Sequence, residues 1–202
     1  RDFASAFALA KSVQYFHWEL EFPEVFFSGN GFSCTICNPP YDTFKESAYF
    51  SQSKAAGTGN LFGHFIVKQV NLNSDNGNLG FVIPLSLACG DRYEKVRKLL
   101  YLNYDDLFAS HYSIRPAKLF SGVDQRITIF YTTPKTSKGK CRVHSSRLWR
   151  WNIGQEENVV NEPGLGLVGY QKDGLIPKVA GDLGARIYNM IKDAPLKLQS
   201  LI

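Results

Sequence analysis

The sequence predicts an α/β fold, about half of a mixed sheet whose last two strands form an antiparallel hairpin. Three observations carry this. Short apolar runs bounded by turn residues, Phe32–Cys37 and Leu79–Pro84, suit strands buried in a parallel sheet. Apolar residues at helical spacing follow each run, and strand, helix, strand, helix is the order of a layered α/β sheet. Two runs rich in β-branched and aromatic residues, Asp105–Tyr112 and Arg126–Thr133, then come in succession, as hairpin strands do.

In chain order, Phe3, Phe7, Leu9 and Val13 are helically spaced from the first residues, so the native N-terminus is expected upstream of Arg1. Phe16, Trp18, Leu20 and Phe22 alternate with polar residues, which predicts an extended, half-buried segment ended by Pro23. The polar, Gly-broken stretch 44–60 predicts a loop. Asn60 is placed to cap a helix carrying Leu61, Phe65, Ile66 and Val70, which "NSDNGN" ends. After the second strand, Asp91 is expected to cap a helix with Tyr93, Val96 and Leu100 on one face.

The character changes at Pro134. Residues 134–151 hold Lys135, Lys138, Lys140, Arg142, Arg147 and Arg150, no acid, and His144, Trp149 and Trp151 between them. A boundary is therefore expected between residues 133 and 134. "GLGLVG", Gly164–Gly169, has Gly-x-Gly-x-x-Gly spacing but neither a clean strand before it nor a helix after it, so a turn-rich linker is expected. The chain closes on a helix interrupted at Pro195.

With 44% hydrophobic and 14% aromatic residues, the 202-residue chain is globular in composition. No apolar run reaches the roughly 20 residues of a membrane span, so a soluble protein is expected. The net charge of +5 is regional: residues 1–90 hold five Lys/Arg against seven Asp/Glu, residues 91–202 eighteen against eleven. That distribution suits a polyanion-facing surface on one side. The four cysteines are too scattered for a disulfide framework, and "CTIC", Cys34 to Cys37, reads as thiols buried on a strand. His17, His64, His111 and His144 have no ligand spacing, so no metal site is expected.

Asn38-Pro39-Pro40-Tyr41, directly after an apolar strand, resembles the catalytic motif of DNA adenine methyltransferases. The flanks "FHWELEFPEVFF", "GNLFGHFIVKQV", "GNLGFVIPLS" and "AKLFSGVDQRITIFY" resemble, in order, the large adenine methylases of type IIG restriction–modification and phage-defence systems. The resemblance covers residues 15–133. It implies the later strands of a Rossmann-like methyltransferase sheet: residues 1–133 as the C-terminal part of the catalytic domain, 134–202 as a basic transition into a DNA target-recognition region.

The function implied is methyl transfer from S-adenosylmethionine to the N6 amine of a flipped-out adenine in DNA (EC 2.1.1.72), in a bacterial cytoplasm. The Asn38 side-chain oxygen and the Pro39 carbonyl would accept both amine N–H bonds, and the prolines would pre-aim that carbonyl. Tyr41 would stack on the base, with Phe120 as a second aromatic and Pro84 and Ser86 near the pocket mouth. Lys135, Lys138, Lys140, Arg142, Arg147 and Arg150 are candidates for phosphate contacts on double-stranded DNA, and Trp149 or Trp151 for stacking. The family's glycine loop for S-adenosylmethionine does not precede Asn38. It is expected upstream of Arg1, and this chain alone is expected to be inactive. Two alternatives remain at this level: a methyltransferase acting on RNA or a protein glutamine, and a non-catalytic DNA-binding module.

Overall fold

The computed structural model describes residues 16–43, 53–171 and 174–194. The helical pattern expected over residues 3–13, the loop from 44 to 52 and the break at Pro195 lie outside these residues. Six strands form one sheet in the order β1-β2-β4-β3-β5-β6. They are β1 (Phe32–Cys37), β2 (Asn73–Pro84), β3 (Tyr104–Tyr112), β4 (Ile127–Pro134), β5 (Arg142–Trp149) and β6 (Gly166–Gly169). β1 runs parallel to β2. β4 lies antiparallel between β2 and β3, so the expected hairpin is present and folded into the sheet. β5 adds parallel to β3 and β6 antiparallel to β5. The compositional change at residue 134 therefore falls on the connection between two strands of one sheet.

Asn60 caps the first long helix as expected. Its side chain accepts from the Phe62 N–H at 3.2 Å, ahead of a helix over Leu61–Leu72. Phe62, Ile66 and Val67 on this helix meet Val96, Leu99 and Leu100 of a second, Glu94–Asn103, over the β2 residues Leu79, Phe81 and Ile83. The alternation of β2 drives this packing: its odd-numbered side chains enter the core, while Gly80 and Val82 face the other way. Leu107, Ala109, Phe130, Val143 and Val168 continue the same core across the remaining strands. Arg97 lies within it, its charge met by the carbonyls of Leu87, Gly90 and Gly174. A helix over Gly181–Lys192 covers β6.

Several local expectations are corrected. The segment Phe16–Phe22, expected to be extended, holds a short helix, Trp18–Glu21, and a second, Pro23–Gly29, follows it. The alternating aromatics cluster about Phe32, with Trp18, Phe22 and Phe26 all edge-on to its ring. Aromatic packing, not pleat, explains their spacing. Asp91 opens a 3-10 turn, Asp91–Tyr93, and makes no side-chain cap. "NSDNGN" ends the first long helix as expected, but it is also the irregular start of β2, which begins at Asn73 and not at Leu79; the Asn73 amide bonds the Asn78 carbonyl at 2.8 Å and the β1 register slips there. Cys34 is exposed and Cys37 half-buried, because β1 is the edge strand among those described, and Ile36 beside them is 83% exposed.

"GLGLVG" contains the edge strand β6 and is not a linker. A Cβ on Gly166 would stand 2.2 Å from the Gly181 carbonyl oxygen and 2.8 Å from the Ala185 Cβ. The glycine spacing thus serves the contact of a strand with the helix over it.

Candidate functional site

Antiparallel insertion of β4 gives the sheet two distinct ends. At one end lie the carboxyl termini of β1, β2, β3 and β5 and the amino terminus of β4; Pro84 pairs with Ile127, and Ile127 with Tyr112. The Asn38–Tyr41 turn leaves β1 at this end. Asn38 and Pro40 are exposed and Pro39 is buried, so the turn sits on the protein by its first proline.

Two clamps hold it. The Tyr41 hydroxyl lies 2.9 Å from Asn38 Oδ1 and 3.1 Å from the Val82 carbonyl, able to donate to either. The Tyr41 carbonyl accepts from Asn60 Nδ2 at 3.0 Å, and the Leu61 N–H bonds the Asp42 carbonyl. Asn60 therefore caps a helix with one side-chain atom and braces the turn with the other. Burial raises the Tyr41 pKa, so its hydroxyl remains a donor at neutral pH. Burial also raises that of the Cys37 thiol, next to Asn38, which leaves it unprimed for nucleophilic attack.

Tyr41 belongs to a second apolar cluster, separate from the main core, built on Tyr112, Ala117, Ile127, Trp151 and Val159. Leu119, Val123 and Trp149 pack against the same cluster. The loop from Ser113 to Arg126 thus packs, through Ala117, Leu119 and Val123, on the cluster that Tyr41 packs on, while Phe120 in the same loop is 38% exposed and outside that cluster. Pro84 and Ser86 lie at the same end, Pro84 buried and Ser86 opening a short helix, Ser86–Cys89.

The basic candidates divide between the two ends. Arg147 and Arg150 stand near the carboxyl end of β5, toward Tyr41; the Arg147 guanidinium stacks 3.8 Å above the Trp149 ring. Lys135, Lys138, Lys140 and Arg142 flank the opposite end of the sheet, about 25 Å away along an eight-residue strand. There Lys135 reaches Asp105 at 3.2 Å and Lys140 lies over Tyr170, while Lys138 is exposed. Arg142 grips Asp106 through Nε and Nη2 at 2.8 and 2.7 Å. That hydrogen bond, aided by His144 and Thr133, lowers the Asp106 pKa. Bonds from Thr136, Ser137 and Lys135 hold Asp105 well below the usual carboxylate range. Of the tryptophans, Trp149 donates its indole N–H to the Pro163 carbonyl at 2.8 Å, and Trp151 is buried.

Sequence reasoning missed Arg115 and Arg126, which stand at the Tyr41 end. The signal was available in the hairpin: antiparallel strands put the loop joining them at the end where Leu79–Pro84 finishes. Among the described residues no group of three or more His, Cys, Asp or Glu could hold a metal ion, and no helix is long and apolar enough to cross a membrane. The one Gly-x-Gly-x-x-Gly run lies at the sheet edge opposite β1 and is filled by its own helix, so it does not fit a cofactor.

Residues 4–115 match the sequence model of a family described as Eco57I restriction-modification methylase. The chain is 32% identical over 132 residues to RM.MjaORFECS2P of Methanocaldococcus jannaschii, a protein named as a type II restriction enzyme and methyltransferase; the match covers 63% of this chain and 11% of that one. The fold resembles that of a DrdV–DNA complex solved by cryo-EM (TM-score 0.58, 10% identity, 70% of this chain and 18% of that one). It also resembles a nuclease-deletion mutant of the Type ISP restriction-modification enzyme LlaGI in complex with a DNA substrate mimic (TM-score 0.55, 17% identity, 71% and 18%). The chain therefore spans about a tenth of that relative's length and under a fifth of these solved chains.

Proposed function

Because the chain belongs to the Eco57I restriction-modification methylase family, we propose that its Asn38–Tyr41 turn grips a flipped-out adenine for methylation at N6 in DNA. The observation that carries this reading is the braced turn at the carboxyl end of β1. Asn38 is exposed there with its side-chain oxygen already oriented by Tyr41, and Tyr41 is held at both its hydroxyl and its carbonyl.

The exocyclic amine of adenine is a weak nucleophile, because its lone pair is delocalised into the ring. Acceptors on both N–H bonds, Asn38 Oδ1 and the Pro39 carbonyl, favour a lone pair directed away from them. Such acceptors act by position and electrostatics and require no general base. The raised Cys37 pKa supports direct transfer, since no primed thiol stands in the turn to form a covalent intermediate. S-adenosylmethionine, the donor of this reading, supplies an electrophilic methyl group on sulfonium. The Tyr41 ring, packed on the apolar cluster of Tyr112, Ala117, Ile127, Trp151 and Val159, offers the extruded base a face to stack on. Phe120 is the second aromatic of the same pocket.

The test is methyl incorporation from S-adenosylmethionine into DNA by the full-length protein, with N6-methyladenine identified in the hydrolysed product. Asn38→Ala is expected to lower the rate by about 10²-fold or more, the cost of one preorganised polar group at a reacting centre. A full-length protein whose Asn38→Ala form methylates like the wild type would sink the reading. Methyl incorporation into RNA or a glutamine side chain, but not DNA, would move the substrate.

A further inference from the structure

Between the loop that follows β3 and the loop that leaves β5 lies a cavity of about 460 Å³, lined by Ser113, Ile114, Arg115, Pro116, Arg126 and Arg150. It is built on pinned backbone. The Ser113 N–H bonds the Trp149 carbonyl at 2.9 Å, the Ala117 N–H the Trp151 carbonyl at 3.1 Å, and the Leu85 N–H the Arg126 carbonyl at 2.7 Å. The three guanidinium groups make no hydrogen bond or ion pair among the described residues. Asp124 is the acid whose carboxylate feels Arg115, and it is already paired with Lys118.

Three arginines without a partner among the described residues repel one another around one hollow, whereas salt bridges neutralise Lys135 and Arg142 at the opposite end of the sheet. All three arginines are exposed, and planar, fork-shaped donors lining one hollow match a tetrahedral anion held through several oxygens. The place identifies the anion. The Arg126 carbonyl accepts from the N–H of Leu85, the residue after β2 and three beyond Val82, where the Tyr41 hydroxyl docks. That separation is on the order of 10 Å along a strand. Ala117, Ile127 and Trp151, each next in sequence to a lining residue, belong to the apolar cluster against which Tyr41 packs.

Building on the base-gripping reading, we propose that Arg115, Arg126 and Arg150 form a binding site for the DNA phosphodiester backbone beside the extruded nucleotide. The site supplies the grip on the strand while Asn38–Tyr41 holds its base. Interactions of this kind position the DNA without reading its sequence.

The experiment measures binding of a labelled DNA duplex by the full-length protein over a range of salt concentration. Three proteins are compared with the wild type: Arg115→Gln/Arg126→Gln/Arg150→Gln, the same three sites changed to Lys, and Lys138→Gln/Lys140→Gln at the far end of the sheet. The slope of log affinity against log salt is expected to become shallower by up to about 2.7 in the Gln variant, about 0.9 for each phosphate that is no longer neutralised. The Lys variant should recover most of that slope and the far-end variant should keep the wild-type one. Equal reductions in the Gln and far-end variants would overturn the site, because only overall charge would then matter. Displacement of DNA by millimolar inorganic phosphate at constant ionic strength would overturn it too, in favour of a small-anion pocket. If the Gln variant binds like the wild type while Asn38→Ala is inactive, the phosphate site falls and the base-gripping reading stands. If Asn38→Ala methylates normally, both fall.

Discussion

One hydroxyl hydrogen on Tyr41 has two oxygens to serve, Asn38 Oδ1 and the Val82 carbonyl. On the proposed reading it bonds Asn38 while no base is bound and turns to Val82 when an adenine amine takes its place, so Asn38 Oδ1 is paired in both states. Tyr41→Phe keeps the ring and removes this exchange. It is expected to change KM little and lower kcat less than tenfold, whereas Tyr41→Ala removes the stacking face, worth about 1–3 kcal/mol, and should raise KM about 10- to 100-fold. Steady-state methylation kinetics separate the two. The turn was legible in the sequence because its four residues are contiguous. The hydroxyl's second partner was not, since Val82 is an ordinary strand residue until the fold sets it under Tyr41. Arg150 was singled out in the sequence, but its grouping with Arg115 and Arg126 was not: each stands next to a different strand end, and the antiparallel hairpin gathers them.

At the scale of elements, the six-residue glycine pattern Gly164–Gly169 shows how one spacing serves two physical ends. In a cofactor loop, glycines admit a ligand; here Gly166 admits the backbone of Gly181 and the methyl of Ala185. Gly166→Ala is expected to destabilise the protein by on the order of 1–3 kcal/mol, as overpacking does, lowering the urea midpoint at an unchanged slope. An unaffected midpoint would mean that the Gly181–Lys192 helix is not seated on β6. Strand and helix identity was readable for the long periodic stretches, Leu61–Leu72 and Glu94–Asn103. It failed over Trp18–Gly29, where aromatics spaced two apart pack around Phe32. For β1 the apolar run was read correctly as a strand but not its exposure, which depends on the neighbours a strand acquires and not on its own residues.

For the molecule as a whole, the sheet is stitched through its middle by a buried histidine. His111 on β3 bonds Thr128 Oγ1 of β4 at 2.9 Å and Ser145 Oγ of β5 at 3.1 Å. Burial, with the Lys178 charge adding to it, pushes its pKa down from 6.5 to about 3. Between these values the unfolded chain binds a proton that the folded one refuses, so stability falls as pH drops from 6.5 toward 3 and is unaffected above that window. His111→Gln should flatten this part of the stability-against-pH curve measured by urea unfolding; an unchanged slope would place the acid sensitivity elsewhere. The same sheet explains why the basic run 135–150 misled as a single surface. A strand carries its charges from one end of the molecule to the other, and β5 leaves Arg142 bound to Asp106 while delivering Arg150 to the cavity near Tyr41.

The proposed base-gripping turn hangs from an edge strand. β1 has a partner on one side only among the described strands, and most of its side chains are exposed or half-buried. Its local opening should therefore cost much less than unfolding the β2–β4–β3 centre, and its amide hydrogens should exchange with solvent earliest in the sheet. The geometry of the turn then rests on the Tyr41 and Asn60 clamps and on buried Pro39 more than on β1 itself, so it should persist when that strand opens.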